Sequence, residues 1–189
     1  MKIEKKTIGE YITEGGEDID FAIRFGEDFK IANDSIGMGD LTKCSFGLIK
    51  EILMDMENEF GFNEQISAMK KILREKHIRI QIMDMDLLQF VQQLNYMKDK
   101  LTEIVEAEIE LLSNSSYDDI ADKARIGSNG KDLFEGIEVY LQLRQLANGD
   151  ITKISEVEKL PYEDCLLELY TRNQLSKFED NYARLSRKK

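Results

Sequence analysis

MDMDLLQFVQQLNYMKDKLTEIVEAEIELL, residues 83–112, is the stretch that decides the fold. Met83, Leu87, Phe90, Leu94, Met97, Leu101 and Ile104 alternate spacings of four and three; Glu108 takes the next position and Leu111 resumes the ladder. That period fits the 3.6-residue turn of an α-helix and not the two-residue repeat of a strand. It predicts one long central helix over about 83–112. A two-position apolar seam has to be covered by other helices, from the same chain or from another subunit. Asp84 and Asp86 suit the first turn of that helix, where the dipole favours acids.

Working outward, the same period recurs. Ala22, Phe25, Phe29, Ala32 and Ile36 line one helical face, and Asn33, Asp34 and Gly37 supply stop signals. Leu48, Ile49, Ile52, Leu53 and Met56 mark a second helix. Ile66, Met69, Ile72 and Leu73 mark a third, with Asn63 as its expected N-cap. HIRIQI (77–82) alternates isoleucine with polar residues and reads as a short strand, with the N-terminal KIEKKTI as its partner.

LSNSSYDD (112–119) is a polar boundary in which Ser116 can cap a short segment bearing Ile120, Ala121 and Ala124. Asp132 with Glu135 resembles a capping box for a helix through Leu146, which ANGD (147–150) terminates with residues that tolerate left-handed dihedrals. Ser155 and Glu158 form a second box for a one-turn helix. Pro161 then starts the last helix, since proline lacks only an N–H that would have no partner there. GDLTK (39–43) and GDITK (149–153) echo one another before helices, as an internal repeat or as a shared loop-to-helix turn. The fold class expected is mainly α: a compact multi-helix domain built on the long helix, with a minor two-stranded β element near residues 2–8 and 77–82. Its two parts, 1–112 and 116–189, are expected to pack as one unit.

Composition bounds the function. The 189 residues are 42% apolar and 33% charged, as in a globular chain able to bury a core. The net charge of −11 leaves no basic face for phosphates, so nucleic acid is not an expected partner. Cys44 and Cys165 cannot frame a disulfide scaffold, the lysine-bearing N-terminus has no apolar signal region, and no apolar run approaches the ~20 residues that span a bilayer. The expected location is the cytoplasm, with no membrane partner.

Searches for reaction chemistry end in structural readings. ARIGSNGKD (124–132) has Gly130-Lys131, but Arg125 stands where a phosphate loop needs its first glycine. SIGMGDLT (35–42) lacks the third glycine of a dinucleotide turn. His77 is the only histidine, without a nucleophile or a metal-ligand pair, and reads as a helix C-terminal residue. Asp84 and Asp86 lie two apart, so a helix would point them in different directions. The methionines fall on inward stripes, and Cys165, beside Glu163 and Asp164, reads as an inert thiol. The expectation is a protein that is not an enzyme and uses no cofactor and no metal.

Four stretches carry a resemblance: IANDSIGMGDLTKCSFGLIKEI (31–52), IMDMDLLQFVQQLNYMKDKLTEIVEAE (82–108), GIEVYLQLRQLANGDITKISEVEKLPYEDCLLEL (136–169) and NQLSKFEDNYARL (173–185). In this order they resemble tailed-bacteriophage tail assembly chaperones over about residues 31–185. The resemblance implies a non-enzymatic protein that holds the helix-rich tape-measure protein during tail morphogenesis, made in two lengths by frameshifting. The alternative is a structural or adaptor protein of a virion or other assembly, a homo-oligomer joined through its helices. The expected partner-binding face lies on the last helix: Tyr162, Leu166, Leu169, Tyr170, Phe178 and Tyr182.

Overall fold

A computed structural model of the chain describes residues 7–13, 34, 36–58, 60–112 and 137–186. These hold seven α-helices: α1 (Ile8–Thr13), α2 (Phe46–Asn58), α3 (Phe62–Glu75), α4 (Leu87–Leu112), α5 (Glu138–Leu146), α6 (Ile154–Val157) and α7 (Tyr162–Ser186). Three 3-10 turns, Leu41–Lys43, Ile82–Asp84 and Ile151–Lys153, lead toward helices. The mainly helical class and the long central helix are as expected, and the described residues contain no strand. Most of the expected 22–36 helical face, the segment after Ser116 and the Asp132–Glu135 box lie outside the described residues.

Contacts divide the chain into two compact units, Met1–Cys44 with Glu51–Ile104, and Ser45–Lys50 with Val105–Lys189. The division falls inside α2 and α4, not in the polar stretch 112–119. Unit 1 buries the α4 ladder, Phe90, Leu94, Met97 and Leu101, together with Ile66, Met69 and Ile72 of α3 and Ile52 of α2. The Phe62 ring meets Phe90 edge-on at 5.8 Å. Unit 2 buries Phe46, Ile49, Leu143, Val157, Tyr162, Cys165 and Leu169.

Local chemistry explains where the helices begin and end. His77 (φ 57°) follows α3, and the Ile78 N–H donates to Leu73 O at 2.9 Å, so the expected C-terminal role of His77 is a left-handed cap. Asn148 and Gly149 end α5 in the same way, with the Gly149 N–H donating to Arg144 O at 2.8 Å. Asp40 and Asp150 each accept from the backbone N–H and the hydroxyl of the threonine two residues on, at 2.7 to 3.0 Å. The GDLTK and GDITK echo is therefore one shared turn.

Four expectations change. The N-cap of α3 is Gly61, whose carbonyl accepts from Gln65 N–H, and Asn63 lies inside the first turn. Asp150, not a Ser155–Glu158 box, opens the 3-10 turn that runs into α6. Helix α4 begins at Leu87: Asp86 caps it by accepting from Gln89 N–H at 2.8 Å, and Asp84 sits in the preceding 3-10 turn. The expected strand at 77–82 is an extended lead into that turn. Its alternation buries only Ile82 and leaves Ile80 exposed, and the pairing that does form is a single antiparallel bridge between Thr7 and Asp86. Residues 2–6 are outside the described residues.

Candidate functional site: a locked ion pair and an open helix face

Both features of interest lie in unit 2. The first explains the one break in the α4 ladder. Glu108 is largely buried, and its Oε1 accepts from Lys50 Nζ at 2.5 Å and from Gln142 Nε2 at 3.0 Å. Its Oε2 accepts from the Tyr162 hydroxyl at 2.5 Å. The Tyr162 ring stacks on Phe46 (5.6 Å, 16°), and the Lys50 ammonium lies 5.5 Å from the Phe46 centroid and 5.9 Å from that of Tyr162. One carboxylate thus ties together residues from α2, α4, α5 and α7.

Burial by itself pushes the Glu108 carboxyl upward, but the Lys50 charge and the bonds from Lys50, Tyr162 and Gln142 more than offset it. The net result is a carboxyl held below its usual range. Tyr162 moves the other way: burial, then the Glu108 charge beside it, raises its hydroxyl. A carboxylate with three donors on its two oxygens is a poor proton acceptor. Its chemistry is that of a staple inside the unit, costly to cut on one side.

The second feature is α7, which changes character along its length. Tyr162, Leu166 and Leu169 of the expected binding face are buried in unit 2, Tyr162 to 1% exposure, and Tyr170 is half-buried. Those three are core, because the Glu108 staple and the Phe46 stack hold the first turns of the helix inside. Asn173 donates to Leu112 O and Arg172 donates to Gln145 O, the last hydrogen bonds to neighbouring elements along the helix among the described residues. Beyond them, no residue of 174–186 is buried.

Yet the outer turns are not polar all round. Leu175, Phe178, Tyr182 and Leu185 are spaced three, four and three, and are 55 to 69% exposed. Phe178 and Tyr182 stack on each other at 6.4 Å, making one continuous apolar ridge. Of the expected face, then, the structure leaves Phe178 and Tyr182 open. Sequence reasoning passed over Leu175, which the same spacing would have included.

No protein family, curated protein or solved structure matches this chain. The site itself is the ground for any reading. Among the described residues no three His, Cys, Asp or Glu side chains come together as a metal-holding group. No helix of the described residues is long and apolar enough to cross a membrane. Cys44 and Cys165 are buried, and burial pushes both thiols up to about 11, which fits inert side chains.

Proposed function

We propose that this protein is a non-enzymatic assembly factor of the tail-assembly-chaperone type, which holds a long helical partner, a tape-measure protein, in the host cytoplasm until assembly proceeds. The observation that carries this reading is the apolar ridge Leu175, Phe178, Tyr182, Leu185 on turns of α7 that nothing described covers. A ridge at three-four-three spacing is the half-seam that a second amphipathic helix completes. Four large apolar side chains left in water on a helix otherwise studded with Lys177, Glu179, Asp180 and Arg184 have no use in an isolated monomer.

The test is capture. The full chain, tagged, is co-expressed with its neighbouring genes, and any long helical protein recovered with it is identified and quantified. Phe178→Asp with Tyr182→Asp should reduce recovery at least tenfold while far-UV circular dichroism stays unchanged, because both side chains are exposed. Undiminished capture by the folded double variant would remove the ridge from the binding surface.

A further inference from the structure

Both units contain one device, and its two copies separate what the fold needs from what α7 adds. In unit 1 the Ile8 N–H donates to Met85 O at 2.9 Å beside the Thr7–Asp86 bridge. In unit 2 the Phe46 N–H donates to Leu160 O at 2.8 Å beside the Ser45–Pro161 bridge. Asp86 thus matches Pro161, and each bridge leads directly into a long helix, α4 or α7. Burial agrees with that register: Phe90, Val91 and Leu94 of α4 stand at the positions of Cys165, Leu166 and Leu169 of α7, and all six are buried.

Leu167 is a residue of α7 that the device does not explain. It is 63% exposed within the half of the helix that unit 2 buries. At about 100° per residue it faces away from Tyr162, Cys165, Leu166 and Leu169, and so does the ridge Leu175, Phe178, Tyr182, Leu185. Leu167, Thr171, Leu175, Phe178, Tyr182 and Leu185 are spaced four, four, three, four and three. Eighteen residues in five steps is the helical repeat itself, so these positions form one straight stripe about 27 Å long. Thr171, its polar member, donates its hydroxyl back to Leu167 O at 2.8 Å. In α4 the same positions hold Gln92, Tyr96, Lys100, Glu103, Ala107 and Glu110. There the Tyr96 hydroxyl donates to Gly39 O at 3.2 Å, and Lys100 pairs with Glu103 at 2.6 Å. The device does not require an apolar stripe on this side; α7 carries one in addition.

The charges beside the stripe narrow what it accepts. Every charged residue of α7 within about a quarter turn of its midline is an acid, namely Glu163, Asp164, Glu168 and Glu179. Arg172, Lys177 and Arg184 lie farther round. Taking the ridge as the docking face of the proposed function, we infer that α7 docks one partner helix of about five turns along its outer side, from Leu167 to Leu185, and that this helix is apolar on one face and cationic along the borders of that face. An apolar face edged by cations complements a stripe edged by acids. The same acids repel the anionic surface of a bilayer, which an interfacial helix meets with basic borders.

Fluorescence anisotropy tests it, with the full chain titrated into two labelled helical peptides of about 22 residues. Both present leucine along one face; one borders that face with lysine, the other with glutamate. The lysine peptide should bind at least about tenfold tighter, and its advantage should shrink as salt rises. Glu168→Gln with Glu179→Gln should shrink it too. Leu167→Gln, which installs the residue of unit 1, should weaken binding about fivefold or more with unchanged circular dichroism. Equal binding of the two peptides, binding of neither, full affinity in the folded Leu167→Gln variant, or flotation on phosphatidylglycerol vesicles in preference to the peptide would each overturn the inference. Capture of a long helical protein that is lost in Phe178→Asp with Tyr182→Asp but kept in Leu167→Gln leaves the proposed function and removes this extension of it. A chain that prefers the lysine peptide but captures no long helical protein removes that function and leaves the extension.

Discussion

The first and last turns of α7 have the same apolar period and opposite fates. Tyr162, Leu166 and Leu169 are buried, whereas Leu175, Phe178, Tyr182 and Leu185 project into solvent on the same continuous helix. Periodicity says only that a face wants covering; what stands opposite decides whether it is covered within the chain. For the first turns the opposing groups are Phe46, Glu108 and Val157, and the helix is part of a core. For the last turns no such group exists among the described residues, and the helix is a surface.

If that contrast is right, substitutions along α7 and its supports should fall in a steep order. The largest effect belongs to Glu108→Ala. It leaves the Lys50 ammonium and the Tyr162 hydroxyl without their acceptor in a buried place and should cost about 3–5 kcal/mol, read by urea or thermal unfolding. The same group gives a pH signature. Its carboxyl is depressed in the folded state, so its contribution is complete above the unfolded value of about 4.3 and is lost as pH falls through the lower folded value. Acid unfolding of Glu108→Gln should lack that part of the slope; an identical profile would mean that the staple carries no stability.

Next in size, Leu169→Ala should cost about 2–4 kcal/mol through the cavity it leaves in unit 2. Gly47→Ala should cost about 1–2 kcal/mol, since its methyl meets the Glu158 carbonyl and Cβ at 3.2 Å. Gly9→Ala should cost a similar amount, because its methyl meets Met83 O at 3.3 Å. An unchanged unfolding midpoint in either variant would mean that the carbonyl yields to the methyl. At the bottom of the order, Phe178→Ala should change stability by less than about 0.5 kcal/mol while weakening capture. A Phe178→Ala variant as damaging as Leu169→Ala would erase the distinction between the two halves of α7.

The same contrast marks how far the sequence could be read. The buried ladder of α4 was legible because a helix face repeats every three or four residues regardless of what covers it. The left-handed end of α5 was legible because Asn148 and Gly149 declare it locally. The role of Glu108 was not: it appeared as a gap in the ladder, and its partners Lys50 and Tyr162 are 58 and 54 residues away. The division of α7 was legible only in outline: at 3.6 residues per turn Tyr182 falls about 160° round the helix from Tyr162, so a wheel puts them on opposite sides without saying which side the chain covers. HIRIQI misled because three isoleucines at period two fit a strand, while a left-handed His77 and a 3-10 turn place them on an extended connector.

Amide hydrogen exchange across α7, in the free chain and then in the partner-bound state, tests the central claim most directly. The account predicts slow exchange for the first turns in both states, and fast exchange for 174–186 that slows only on capture. Equal protection of both halves in the free chain, or a complex that forms with 174–186 still exchanging freely, would contradict it.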